Sequence, residues 1–322
     1  MKILIYNSGG GLGDSIQLFD IIYSLKEKFG SENVFYLSAH KNHFNNSLKD
    51  YNLHVNELNT NIKYIGFRFW HLLISKKKIL KNNALDGFDL IIDLQSKLRN
   101  TLILKQFPHK NFYSSTFDFR FCNLKKDYIS SKFEIKNILL NIEKLLNIEI
   151  PFKKYQTNLI NQKYYDEAKR LLSEDNYIGF SITQGNLYRK KNWPLEKFFN
   201  IANKISFKNK KPVFFVEKDN LELINLIKKN VETSIFPELD STLSGPPLVT
   251  ALTSRLEKVI TIDNGIMHMM GLADIPMIVL FGPTNSKKFA PKVKNIDILD
   301  SKTLYKSNDI SKITEEDVIN LL

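Results

Sequence analysis

The chain opens on four consecutive apolar residues, Ile3-Leu4-Ile5-Tyr6, followed by polar and glycine positions. Apolar residues then recur at helical spacing: Ile16, Phe19, Ile22, Tyr23 and Leu25. The first run is short enough to predict a buried strand, and the second pattern predicts an amphipathic helix running to Gly30, placed to cap it. Residues 34–37 read as the next strand. Strand, glycine turn, helix and strand in this order indicate a parallel α/β unit.

Residues 41–83 carry a poorer signal. Within them 62–74 are aromatic-rich and lead into Lys76-Lys77-Lys78, a pattern that fits either a helix over the sheet or a segment on a membrane surface. Residues 88–94 are a short apolar run bounded by polar positions, hence another buried strand. Around 150–157 the periodicity stops, charge clusters and Pro151 interrupts the preceding helix, which predicts a linker and two domains, 1–155 and 156–322. The alternation then restarts, with strands over 177–182, 212–216, 258–262 and 276–281. Helices are predicted over 194–207, 219–229, 246–256 and 264–272, and Thr314 with Asp317 resembles a capping box opening a last short helix. The expected fold class is α/β: two Rossmann-like parallel domains facing across a cleft.

Composition narrows the class without naming a function. The 322 residues are 43% hydrophobic and 25% charged, which excludes a disordered chain, a collagen-like repeat and a disulfide scaffold. The single Cys122 cannot form an internal bridge, so a reducing cytoplasmic compartment is expected. No apolar run approaches the roughly 18 residues of a membrane span, and the opening strand runs straight into Asn7-Ser8 rather than continuing as a signal peptide would. The 46 basic and 34 acidic side chains leave a net charge of +12, which favours acidic partners. Lysines spread over every face are merely solvated, however, and no basic stripe, helix-turn-helix or aromatic ribonucleoprotein motif is present, so nucleic acid is not an expected partner.

Four constellations carry candidate chemistry. Gly9-Gly10-Gly11-Leu12-Gly13-Asp14 follows the first strand, where glycines let backbone approach a ligand and a helix start favours negative charge. It departs from the dinucleotide fingerprint, with Asp14 in the place of the third glycine and no acidic ribose reader some twenty residues on, and it contains no Walker lysine. Asp14 reads either as a helix cap or as a carboxylate in the crevice beyond the strand. Arg189-Lys190-Lys191-Asn192-Trp193-Pro194 places cations on a loop after a strand, where they would neutralise a phosphate. In Asp263-Asn264-Gly265-Ile266-Met267-His268 a strand, a polar turn and a helix start succeed one another. Leu280-Phe281-Gly282-Pro283-Thr284 ends a strand with a hydroxyl suited to a phosphate or sugar. Three such turns in the second half make an anion site, and an acid waits in the first half.

These stretches, together with Phe88-Asp89-Leu90-Ile91-Ile92-Asp93-Leu94-Gln95 and Arg99, resemble glycosyltransferase family 9, the bacterial heptosyltransferase group, in order and spacing over nearly the whole chain. The resemblance implies a GT-B fold, with the acceptor held mainly by the first domain (Gly13, Gln95 and Arg99) and the nucleotide by the second. It further implies an inverting transferase without a metal or other cofactor, moving a sugar from a nucleoside-diphosphate donor, ADP-linked by preference, to a glycolipid such as lipopolysaccharide core. Asp14 would be the general base and Lys191 would steady the leaving diphosphate. Thr183, Asp263, Asn264, Gly265, His268 and Thr284 would line the donor site. A lipid-borne acceptor fits the positive excess, which would hold a cytoplasmic enzyme against the anionic inner leaflet. Two departures stand out: Asp20 replaces a usual proline, and residues 183–188 do not reproduce the threonine-rich phosphate loop. The competing readings are a non-catalytic nucleotide- or sugar-binding protein, and a family 9 transferase using a different donor sugar.

Overall fold

The computed structural model describes residues 1–7, 9–38, 42–58, 68–80 (backbone alone over 76–80), 87–95, 97–130, 134–184 and 191–322. They form two compact units, Met1–Gln156 and Thr157–Leu322.

In the first unit β1 (Ile3–Asn7), β2 (Val34–Ser38), β3 (Asn56–Glu57), β4 (Phe88–Asp93) and β5 (His109–Ser114) form one parallel sheet in the order β3-β2-β1-β4-β5. Ile3, Leu4 and Ile5 of β1 are wholly buried, which explains why this strand reads as continuous rather than alternating apolar sequence. The single helix expected after the glycines is two, Leu12–Ile16 and Phe19–Phe29. Ile16, Phe19 and Ile22 are all buried, so the apolar stripe crosses the break without marking it. Phe19 meets Tyr155 and Tyr51 edge-on at 4.8 and 5.1 Å. Asp20 accepts the Tyr155 N–H at 2.8 Å, and Ser24 Oγ bonds both the N–H and the carbonyl of Lys153. Burial pushes the Asp20 carboxyl up, against the opposing pull of that Tyr155 N–H. The helix Ile135–Leu146 ends at Asn147, in left-handed conformation (φ 55°), four residues before Pro151; the turn residue, not the proline, stops it.

The second unit repeats the plan with β6 (Tyr177–Ser181), β7 (Lys211–Phe214), β8 (Lys258–Ile262), β9 (Met277–Phe281) and β10 (Ile296–Asp300), parallel and in the order β10-β9-β8-β6-β7. A parallel bridge from Val213 to Ile235 adds a rudimentary sixth strand outside β7. Reading outward from Ile235, the order is that of doubly wound nucleotide-binding sheets. β3, β5 and β10 have no counterpart in the sequence reading. All three lie at sheet edges: β5 opens on His109-Lys110-Asn111, β10 is interrupted by Asp297 and closes on Asp300, and β3 is two residues long.

Trp193 anchors the turn before the helix Leu195–Ser206. It is 1% exposed, its Nε1–H donates to the Ile313 carbonyl at 2.9 Å, and Phe198 packs edge-on to it at 4.9 Å. Lys191, two residues earlier, is therefore tied to the core through the indole. Replacing Trp193 by Ala should destabilise the second unit by about 3–5 kcal/mol, read as a lower urea midpoint.

Candidate functional site

Each sheet reverses its strand order once, at β1/β4 in the first unit and at β6/β8 in the second. Connections leave on opposite faces there, and the loops beyond the carboxyl ends diverge to leave a crevice. The candidate residues gather at these two points.

At β1/β4 the centre is Asn7, the last residue of β1 and 2% exposed. Its Oδ1 accepts the Gly9 N–H at 3.0 Å and a bond from Gln95 Nε2, while its Nδ2 reaches the Asp14 carbonyl at 3.5 Å. Gln95 and Asp14, far apart in sequence, are thus linked through one amide. Asp14 stands in the first turn of Leu12–Ile16, and its Oδ2 accepts weakly from the Gly11 N–H at 3.4 Å. A Cβ on Gly9 would meet Asp14 Cβ at 2.6 Å and Cγ at 2.7 Å, so glycine at this position is what leaves the carboxylate its place. Gly13 is buried in the same turn. Beneath lies the Tyr36 hydroxyl, beside Ser15, Asn7 and Ser38, its pKa pushed up to about 12 by burial, and His43 Nε2 is 3.1 Å from the Gly10 carbonyl. Gln95 N–H bonds Asp93 Oδ1 at 3.0 Å, and Asp93 Oδ2 accepts from Thr101 and Ser114 at 2.6 and 2.9 Å. This buried hydroxyl network fixes the turn that presents Gln95. Arg99 stands in the first turn of the next helix, Leu98–Leu104, its guanidinium 5.1 Å from the Phe69 ring centroid. Asn7, Asp93, Tyr36 and His43 were not singled out from sequence; of these, Asn7 had a readable signal, a polar residue ending an apolar strand directly before glycines.

At β6/β8 the Lys191 ammonium donates to Asp263 Oδ2 at 2.5 Å and to the Asp263 carbonyl at 3.2 Å. Both side chains are largely buried, 14% and 7% exposed. A lysine carries three N–H donors, so one remains for a further acceptor. The Lys191 N–H bonds Gln184 Oε1 at 2.9 Å. Asn264 caps the helix Gly265–Gly271 by accepting the Met267 N–H at 2.7 Å, and its Nδ2 donates at 2.8 Å to both Ser181 Oγ and the Thr183 carbonyl. Two hydrogen-bonded sets, Lys191 with Asp263 and Gln184, and Asn264 with Ser181 and Thr183, are thus joined through the adjacent pairs Thr183–Gln184 and Asp263–Asn264. Gly265 is exposed, and a Cβ there would meet nothing within 4 Å, so backbone at the helix start stands open. His268 is buried in that helix. Thr284, after β9, is buried, and its Oγ1 has no hydrogen-bond partner among the described residues. Arg189 and Lys190, with 185–188 and 62–67, lie outside the described residues. Among the described residues no group of three or more His, Cys, Asp or Glu is placed to hold a metal ion, and no helix is long and apolar enough to cross a membrane.

Two parallel doubly wound units in one chain define an α/β protein of the GT-B class. Residues 75–319 match the profile of "Glycosyltransferase family 9 (heptosyltransferase)", and the chain belongs to that family. Its fold is similar to the crystal structure of a family 9 glycosyltransferase from Veillonella parvula DSM 2008 (TM-score 0.70, 21% identity, 99% of this chain and 95% of that one). It is also similar to the E. coli heptosyltransferase WaaC with ADP (0.66, 13%, 100% and 96%) and to E. coli ADP-heptose lps heptosyltransferase II (0.63, 14%, 99% and 97%). UDP-GlcNAc 2-epimerase from Methanocaldococcus jannaschii shares the fold at TM-score 0.55, 15% identity and coverage of 99% and 91%. No curated protein matches the chain by sequence.

The Asn264 side chain is the link most open to test without a ligand. Asn264→Ala should cost about 1 kcal/mol through the lost cap alone, and more through the freed Ser181 and Thr183 groups, as a lowered urea midpoint. A second test concerns Glu238, in the turn Pro237–Asp240, whose carboxyl burial pushes up to about 7. The nearby Lys218 opposes that shift and Glu217 reinforces it. The folded state then holds a proton that the unfolded chain releases near its ordinary value. Stability should fall as pH rises from about 4.5 through 7, by about 1–3 kcal/mol, and Glu238→Gln should flatten that slope in melting curves taken across this range.

Proposed function

We propose that the protein is an inverting, metal-independent glycosyltransferase that moves a heptose-like sugar from a nucleoside-diphosphate donor, ADP-linked by preference, to a hydroxyl of a cell-envelope glycolipid such as lipopolysaccharide core. In this reading it works in the cytoplasm, at the anionic inner leaflet, and needs no resident cofactor. WaaC has been solved with ADP and with ADP-2-deoxy-2-fluoro heptose, which supports the choice of donor class. The observation that carries the reading is the Lys191 ammonium: two of its donors are committed to Asp263, the third has no acceptor among the described residues, and open backbone at Gly265 follows directly. That arrangement suits a diphosphate, which would take the third N–H and the amides of the helix start. The buried Thr284 hydroxyl supplies a further donor.

The reaction is a single displacement. Asp14 takes the proton of the acceptor hydroxyl as that oxygen attacks the anomeric carbon. The bond from that carbon to the diphosphate breaks on the opposite side, so the configuration inverts. Charge growing on the departing nucleoside diphosphate is met by Lys191 and the helix start at Gly265, in groups already oriented before reaction. Gln95 and Arg99 hold the acceptor, the former fixed through Asn7 to the turn that carries Asp14.

A thermal-shift panel of ADP, UDP, GDP and CMP identifies the nucleotide, with ADP expected to stabilise most. With the matching sugar donor, Asp14→Asn should lower turnover by about 10²–10⁴-fold while the nucleotide-induced shift persists. Lys191→Ala should lower turnover by about 10²–10³-fold and diminish the shift as well. Wild-type turnover in Asp14→Asn would remove the base assignment, and retention of the donor's anomeric configuration in the product would remove inversion.

A further inference from the structure

The helix His71–Leu80 is built inside out. Its inward positions include polar side chains: His71 and Ser75 are buried, with Leu72 packed on the core of the first unit. Outward, Phe69 and Trp70 in the entering turn are 70% and 57% exposed, Leu73 is 81% exposed and Ile74 is 37% exposed. Trp70, Leu73 and Ile74 stand three and four residues apart and so share one face. A surface helix washed by water on that side carries the opposite pattern, and a continuous exposed apolar patch marks a surface that something covers.

The charges around the patch say what covers it. The Arg68 guanidinium lies 5.5 Å from the Trp70 ring centroid and that of Arg99 lies 5.1 Å from Phe69. Arg99 belongs to the helix Leu98–Leu104, which packs against His71–Leu80. Among the described residues of this helix pair, Arg68, Lys97 and Arg99 are the charged side chains beside these rings, and neither 68–80 nor 97–104 contains an Asp or Glu. Aromatic and aliphatic side chains interleaved with cations of one sign suit the headgroup level of an anionic bilayer, where rings sink and guanidinium groups stay among the phosphates. A second copy of the chain is a poor occupant, because a two-fold contact sets the same patch against itself and brings cation to cation.

We propose that this face docks on anionic phospholipid, with Phe69, Trp70 and Leu73 entering the interface. The proposal deepens the transferase reading, on which it rests for the lipid nature of the acceptor, and it sets the helix of Arg99 and the neighbouring turn of Gln95 at the surface from which such an acceptor would be presented.

The chain contains two tryptophans, and Trp193 is buried, so Trp70 serves as an intrinsic probe. Mixed with vesicles of phosphatidylcholine and phosphatidylglycerol, the full-length protein should sediment and its emission should shift to the blue. Phosphatidylcholine alone should do neither, and added salt should weaken the effect. Phe69→Ser and Leu73→Ser should each lower the partition coefficient about tenfold with the melting temperature unchanged, since both positions are exposed. The proposal fails if phosphatidylglycerol vesicles leave sedimentation and emission unaltered at low salt, or if both variants bind as the parent does. It fails equally if the patch instead supports a concentration-dependent dimer that the two variants abolish. Vesicle binding by a protein that stabilises with no nucleotide in the thermal-shift panel would uphold this surface while removing the transferase reading. A nucleotide-responsive protein indifferent to vesicles would do the reverse.

Discussion

In a parallel sheet every strand must be re-entered from the same end, so each connection crosses over one face or the other. Where consecutive connections choose opposite faces, nothing covers the carboxyl edge between two neighbouring strands. Backbone groups that leave those strands find no ladder partner there and must be satisfied by side chains, water or a ligand. Both units meet this constraint at one place each. In the first the resident solution is Asn7, which serves the Gly9 amide and Gln95 together. In the second it is Asn264, which serves Met267, Ser181 and Thr183. The two amides play the same part: each satisfies local polar groups and, by doing so, leaves neighbouring groups turned outward and open to a ligand.

The Lys191–Asp263 pair follows from the same geometry but answers a different demand. A buried ion pair recovers little net stability over an apolar pair of similar volume, because both charges are stripped of water. Its retention at the β6/β8 edge is better understood as positioning. Asp263 holds the ammonium by two acceptors, and Trp193 holds the loop by its indole, so the charge is fixed before any ligand arrives. A cation fixed in advance stabilises developing negative charge without reorganising, which a solvated surface lysine cannot do.

How much of this was legible in the sequence depended on whether a residue's role is local. Buried central strands such as β1, β4, β6, β8 and β9 announce themselves as apolar runs, and turns such as Asp263-Asn264-Gly265 sit directly behind them. The edge strands β5 and β10 are buried only toward their carboxyl ends, and their mixed patterns, His109–Ser114 and Ile296–Asp300, read as loop. Asn147 ends its helix through a backbone conformation that asparagine tolerates, a weaker signal than the proline that follows. Asp93 looks like any polar residue closing a strand, and its bonds to Thr101 and Ser114 exist only once β4 and β5 are paired. The inverted helix His71–Leu80 was visible as an aromatic-rich, lysine-flanked stretch, but which side faced out was set by tertiary packing.

Asp20 stands where the family resemblance implies a proline. A proline near the start of a helix fixes the entering backbone by its ring. Asp20, in the first turn of Phe19–Phe29, instead favours that helix end by its charge and accepts the Tyr155 amide, with Ser24 fastening Lys153 a turn further on. The carboxylate thus does by a long-range hydrogen bond what a ring does locally, and in addition latches the last residues of the first unit to the helix that follows the Asp14 turn. Tyr155 completes the latch by donating its hydroxyl to the Tyr51 carbonyl at 2.6 Å and packing against Phe19. The point at which the chain leaves the first unit is consequently held by the helix that follows the turn carrying Asp14, which a proline at this position would not provide.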